Sequence, residues 1–275
     1  MNFDAVKALR VLMIGDAIRD RYVFVRPLGK SIKETVISVG YEREETYRGG
    51  VWAAAAHLRG LCDRVDVMHG PKVLTNTRFV ESAIGRKLFT LHEHYVEPPT
   101  HDLPIEAYDS VIVADFGHGT MTADMIERVC ASAKFLAVNT QTNSSNFGFN
   151  LITKYRRADF VVIDELEARL AAHDRESSVE EVIERIGYPK IIVTLGSNGS
   201  IGYDGMFYRA PAVADRVVDT MGAGDAVLAV TSPFAAAGFP MAELVRIGNL
   251  AGAAKVGVLG HQRAVTIEDL DGSRH

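Results

Sequence analysis

The sequence predicts an α/β fold built on a parallel sheet with helices on both faces, and three observations carry that expectation. Short, almost continuously apolar runs recur along the chain, stretches of helical periodicity separate them, and a glycine-built turn near residue 222 leads into a helix of small residues. Strands buried on both faces need uninterrupted apolar sequence, whereas half-exposed antiparallel strands alternate. Ligands of such sheets are expected beyond the carboxyl ends of the strands.

The expected strands are VLMIG (11–15), RVDVMHG (64–70), SVIVADF (110–116), KFLAVN (134–139), DFVVID (159–164) and KIIVTLG (190–196). Helical stretches at 120–133, 165–173 and 177–187 lie between them, and two further helices follow Asp225. Residues 22–47 break the pattern. Alternation such as Val36-Ile37-Ser38-Val39 suits a two-faced antiparallel ribbon, expected to project as a lid from a single domain spanning 1–275. A ribbon of that size is too small to bury an apolar face alone, so it is expected either to cover a site or to pair with a second copy in a homodimer. Gly29-Lys30-Ser31 is not the end of a phosphate-binding P-loop, because Phe24 stands where that loop needs its first glycine.

Composition narrows the function classes. The chain has 275 residues, 47% hydrophobic and 24% charged, with a net charge of −5, which suits a large core and gives no sign of a nucleic-acid surface. No apolar run approaches the roughly 18 residues that a membrane span requires, and Asp4, Lys7 and Arg10 interrupt any secretory pattern. A soluble cytoplasmic protein with no membrane or nucleic-acid partner is expected. Cys62 and Cys130 are far apart and fit reduced, packed thiols. His92-Glu93-His94 places two imidazoles on one face of a possible strand, but without a third ligand it does not suggest a metal.

The turn at 218–225 carries the chemistry. Gly222 and Gly224 allow positive φ and close backbone approach, and the helix that follows adds the positive end of its dipole, so Gly222, Ala223 and Gly224 form a nest suited to a phosphate. A carboxylate inside such a nest, as Asp225 is, opposes anion binding unless it has another task. Taking a proton from an attacking hydroxyl is that task, and the local chemistry points to phosphoryl transfer to an alcohol.

Asp219-Thr220-Met221-Gly222-Ala223-Gly224-Asp225 resembles the D-T-x-G-A-G-D motif of the ribokinase or PfkB carbohydrate kinases. That resemblance implies a ribokinase-like three-layer sandwich with a small β lid, ATP and Mg2+ as cofactors, a small-molecule sugar as acceptor, and an open question over a monovalent cation near Asp219. It extends over most of the chain. Gly15 to Tyr22 is similar to the first strand and turn of the heptose-phosphate kinase branch, in which Asp20 would bind sugar hydroxyls; a turn or capping aspartate is the alternative. Gly49-Gly50 matches the diglycine that lets the backbone approach the sugar, but the asparagine that usually follows is replaced by Ala53, and Trp52 has arrived, either to stack on substrate or to fill space. Asp115-Phe116-Gly117-His118-Gly119 resembles D-Y-x-K-G, with Asp115 on the substrate side and His118 in the lysine position.

For the nucleotide, Thr194, Gly196, Ser197 and Gly199 resemble the strand and turn that pass the ribose and phosphates, and Asn249 stands where the family encloses the adenine. Asp164 and Glu167 correspond to N-x-x-E, the magnesium-organising motif, with aspartate in the asparagine position; helix capping by Asp164 is the rival explanation. Lys30, Lys33 and Arg78 are candidate donors to a phosphate already on the acceptor, and solvent-facing lysines are the alternative. After RVDVMHG the chain reaches Thr75 almost at once, omitting a helix or more of the family's usual core. These departures leave two readings: an active kinase, or a catalytically degenerate sugar- or nucleotide-binding protein on the same scaffold.

Overall fold

A computed structural model of the chain describes residues 3–93, 97–99, 103–258 and 260–270. Its strands are β1 (Arg10–Gly15), β2 (Ala17–Lys30), β3 (Ile37–Gly50), β4 (Arg64–Met68), β5 (Leu74–Glu81), β6 (Arg86–His92), β7 (Ser110–Asp115), β8 (Leu136–Thr140), β9 (Phe160–Asp164), β10 (Ile191–Thr194), β11 (Ser200–Tyr203) and β12 (Phe207–Ala210). The α-helices are α1 (Asp4–Lys7), α2 (Val51–Arg59), α3 (Ala123–Ser132), α4 (Glu165–Ala172), α5 (Val179–Ile186), α6 (Ala223–Ala236), α7 (Met241–Val256) and α8 (Ile267–Leu270). His94, the second imidazole of the 92–94 segment, lies outside the described residues.

The central sheet has eight strands in the order β12-β11-β10-β9-β8-β7-β1-β4. The six from β10 to β4 run parallel, and β11 and β12 continue the edge as antiparallel neighbours of β10. All six strands expected from the apolar runs are present. Alternate residues supply two cores: Val11, Met13, Ile112 and Val162 pack with α2, α6 and α7, whereas Leu12, Ile14, Val113 and Ile163 pack with α3, α4 and α5. This gives three layers, as two-sided burial of the strands demands. Among the described residues no helix is long and apolar enough to cross a membrane.

The expected ribbon is longer and wider than 22–47. β2 and β3 pair antiparallel from Ala17–Gly50 out to Lys30–Ile37, and β5 and β6 complete a four-stranded sheet in the order β3-β2-β5-β6. The sequence gap after β4 is thereby explained. The chain passes from the edge of the central sheet straight into β5 of the second sheet, with no helix between them. This sheet rests on the carboxyl-terminal edge of the central one: Lys87 of β6 reaches Asp219, and the Tyr22 hydroxyl of β2 donates to the Met221 sulfur.

Candidate active site

Asp225 lies in the first turn of α6 and is 5% exposed. Gly222 caps that helix in the left-handed region at φ 74°, the one glycine of the turn with positive φ. Gly224 is helical instead, and a Cβ there would meet nothing within 4 Å, so its value is open space above the helix N-terminus rather than backbone freedom. At Gly222 a Cβ would stand 2.9 Å from His261 Cε1 and 3.2 Å from Lys255 Cε. Burial pushes the Asp225 carboxyl up to about 6, with His261 and Lys255 pulling it down and the charge of Asp20 adding to the rise.

Asp20 of β2 faces the same centre, and its two carboxylate oxygens are divided between Arg78 and His261. Arg78 of β5 pairs with Oδ1, and His261 Nε2 stands 3.3 Å from Oδ2. Burial acts to raise the Asp20 pKa, but the bond and charge of His261 and the charge of Arg78 outweigh it and hold the group below the usual carboxylate range. Arg78 is thus committed to Asp20, contrary to its expected role as a phosphate donor. Gly49 backs the carboxylate, and Gly50, with φ 58°, sets Val51 N–H on the Asp16 carbonyl.

Three other substrate-side expectations change. Asp115 is 1% exposed and accepts from Tyr155 Oη at 2.6 Å, Lys154 Nζ at 2.6 Å and Gly117 N at 3.0 Å, so its carboxylate braces the 115–155 region instead of facing an acceptor. Lys30 lies ten positions beyond Asp20 on β2, roughly 30 Å away at strand rise, and Lys33 sits in the hairpin beyond it. Neither reaches a sugar held by Asp20 of the same chain. Trp52 packs edge-on against His69 and carries the Arg48 guanidinium 4.4 Å above its ring, so it fills space and holds a cation. Asp16, unremarked from sequence, accepts from His118 N and Thr120 N and ties β1 to the turn after β7.

On the nucleotide side, Thr194 ends β10 beside Asp164 of β9, and Gly196, Ser197 and Gly199 form the turn into β11. The Asn249 amide is consumed within the protein: Nδ2 donates to the Ala210 and Pro211 carbonyls at 3.0 and 2.8 Å, and Oδ1 accepts from Ser200. It therefore fixes the loop leading to the nest. Asp164 and Glu167 form the capping box of α4, as the rival explanation held. Burial, then the charges of Asp164 and Asp225, drive Glu167 well above the usual carboxylate range. Mutual repulsion of carboxylates is what a nearby divalent cation would relieve. Among the described residues no group of three or more His, Cys, Asp or Glu could hold a metal ion.

The monovalent cation fits less well. Asp219 already accepts from Met221 N and Lys87 Nζ through Oδ1 and from Gly260 N through Oδ2, each at 3.2 Å. The carbonyls of Met221 and Gly260 hold the buried ammonium of Lys255 at 2.7 and 2.8 Å. Sequence reasoning missed both Lys255 and His261, since neither belongs to a local motif.

Comparison with known proteins agrees with this architecture. The pfkB family carbohydrate kinase model matches residues 67–268. A curated relative from Geotalea uraniireducens, "Bifunctional protein HldE", is 24% identical over 94% of this chain, which spans 61% of that protein's length. The structure of Arabidopsis thaliana ribokinase complexed with ribose and ATP superposes with a TM-score of 0.71 at 15% identity, covering 96% of this chain and 97% of that one. Escherichia coli phosphofructokinase-2 in complex with potassium gives a TM-score of 0.71 at 13% identity, covering 96% and 97%. With the family model spanning most of the chain, and the turn before Asp225 built as that family's motif implies, the protein belongs to the pfkB family of carbohydrate kinases.

Proposed function

We propose that the protein transfers the γ-phosphoryl group of ATP to a hydroxyl of a sugar or sugar phosphate, with Asp225 as the base. The observation that carries this reading is the buried carboxylate in the first turn of α6, raised to about 6 and set beside the open helix N-terminus. A group with that pKa is ionised at neutral pH yet basic enough to accept a proton as the hydroxyl attacks. The peptide N–H groups of residues 222–225 face the charge that develops on the transferred group, and their fixed dipoles need no reorganisation. Asp20, held by Arg78 and His261, presents its remaining lone pairs to acceptor hydroxyls. Asp164 and Glu167 are the residues that would hold Mg2+, and the ion would supply neutralisation of charge on the phosphates. ATP as donor argues for a cytoplasmic protein, with residues 1–275 acting as one domain.

A sugar phosphate is the better acceptor on this geometry, though not through Lys30 and Lys33. A recess of about 220 Å³ adjoins His261 and is lined by Arg48, Trp52, His57, Arg59 and Arg263. Burial holds His57 neutral, at about 3, and its Nδ1 accepts from Val265 N, while Arg263 is paired with Asp269, so the positive charge comes from Arg48 and Arg59. ADP release measured over free and phosphorylated pentoses, hexoses and heptoses is expected to give the highest kcat/KM for a phosphosugar. Arg48→Ala together with Arg59→Ala should then raise its KM more than it lowers kcat, because a remote phosphate contributes mainly uniform binding. A free sugar that exceeds every phosphosugar would overturn this preference. ATP binding with no transfer to any acceptor would support the non-catalytic reading.

The outer part of the second sheet supports pairing of two copies. Leu28, Ile32, Val36, Ile37 and Tyr41 are exposed along β2, β3 and their hairpin. We expect a homodimer through this lid, and light scattering should report twice the chain mass. Replacement of 26–41 by a short linker should give a monomer; a monomeric intact chain would refute the interface.

A further inference from the structure

Lys255 ends α7 with its side chain buried at 1% exposure, far from any strand motif and unexplained by packing alone. Its ammonium donates to the Met221 carbonyl, one residue before the nest begins, and to the Gly260 carbonyl on the chain that follows α7. The same two segments meet a second time at Asp219, which accepts from Met221 N, Gly260 N and Lys87. Val218 N and Asp219 N close the arrangement on the Val256 carbonyl. Two backbone carbonyls and a carboxylate make an oxygen set suited to a hard monovalent cation, and here protein ammonium groups hold those oxygens instead.

We propose that Lys255 is a built-in cation. Its ammonium holds the Met221–Gly222 turn in the shape that aims the 222–225 peptide N–H groups at the transferring phosphoryl group, so transfer needs no added potassium. Lys255 is a positioning residue on this account, because it touches the carbonyls behind the nest and not the reacting atoms. Its carbon stem serves the same end: Cε lies where a Gly222 Cβ would come within 3.2 Å, so lysine and glycine are fitted to one another. The proposal rests on the kinase reading above, and its test separates the two.

The experiment compares the intact wild type and Lys255→Ala in tetramethylammonium, sodium, potassium and ammonium chloride at constant ionic strength. Turnover is followed on the best acceptor of the sugar panel, and Mg-ADP affinity is followed by calorimetry. For the wild type, kcat and ADP affinity should agree within about two-fold across all four salts. For Lys255→Ala, kcat in tetramethylammonium should fall on the order of 10²-fold, comparable to losing one fixed donor at a developing oxyanion. Potassium or ammonium should restore at least ten-fold of that loss, with KM for the acceptor little changed, since a small cation can enter the space left by the side chain.

A wild type activated ten-fold or more by potassium overturns the proposal, as does an Ala variant that is fully active in tetramethylammonium. Loss without rescue in a variant that still melts cooperatively also overturns it, leaving a structural lysine. Should the variant fail to fold, the salt series on the wild type still decides the matter. If no acceptor is phosphorylated in any salt, the kinase reading fails; Mg-ADP affinity that depends on potassium would then count against Lys255 separately, and affinity that does not would count for it.

Discussion

Asp225→Asn is expected to abolish transfer while making the unliganded protein more stable. Loss of a positioned base costs on the order of 10² to 10⁴ in kcat, and the amide keeps the shape of the site, so ATP affinity should stay within a few-fold of wild type. The stability change follows from burial. The Asp225 carboxyl is raised from 3.8 to about 6 in the fold, so the folded state binds its proton more tightly than the unfolded chain does. That contribution is complete below about pH 4 and is lost as pH rises through about 6. At pH 7 the ionised group therefore costs stability, at most about 3 kcal/mol for a two-unit shift, and the neutral amide removes that cost.

The pH profile of kcat/KM checks the same assignment from the other side. Activity should fall as pH drops through about 6, because protonated Asp225 cannot act as base. Melting curves, nucleotide titration and steady-state kinetics on the two proteins distinguish lost chemistry from lost fold. An active Asn variant, or one that melts well below wild type at pH 7, would sink the assignment.

The sequence disclosed the parts of this molecule whose information is local. β1, β7, β8, β9 and β10 are legible because burial on both faces writes itself as continuous apolar sequence, whereas β4, at the sheet edge and half exposed, is marked by the alternation of RVDVM. The nest is legible because a left-handed glycine and a helix start are neighbours in the chain, although no strand runs into them: β12 ends at Ala210 and residues 211–222 are loop. The finer division of labour within it is not: Gly222 supplies positive φ and Gly224 supplies room, although the two look alike as letters. β11 and β12 escaped notice because SIGY and FYRA mix Ser, Gly and Arg with their apolar residues, so neither reads as the continuous run that marks the equally short β10. The role of β5 depends on a parallel pairing with β2 across more than fifty residues of sequence, which no window reveals.

Side-chain roles went astray where the deciding contact is long-range. Arg78 was expected on a phosphate and stands on Asp20, 58 residues earlier in the chain. Asn249 was expected at an adenine and instead bonds the 210–211 carbonyls. His261 and Lys255 enter the site only because the chain after α7 folds back on the turn at 219–222. Lys30 and Lys33 failed for a simpler reason: strand rise carries a β-ribbon away from its base by about 3.3 Å per residue, so sequence proximity to Asp20 becomes distance in the fold.

Gly49→Ala carries the other large effect, and it tests how the acceptor side is built. Gly49 pairs with Ile18 in the β2–β3 ladder, and an added Cβ would fall inside van der Waals contact with Asp20 Oδ2 and lie 3.4 Å from His261 Nε2. The methyl cannot be accommodated without moving the Asp20 carboxylate, which is buried and held from both sides by Arg78 and His261. Displacing one partner leaves Arg78 buried with an incomplete ion pair, so a stability loss of about 3 kcal/mol is expected, together with a fall of about 10²-fold in kcat/KM for the acceptor. Mg-ADP affinity should be unchanged, because the nest and the 194–199 turn lie on other elements. A double-mutant cycle with Asp20→Ala isolates the cause: with the carboxylate removed, the Gly49 methyl occupies the vacated space and should add little further loss. Strongly non-additive effects on kcat/KM are therefore expected, whereas simple additivity of two large losses would show that Gly49 serves the substrate by some route other than the seat of Asp20.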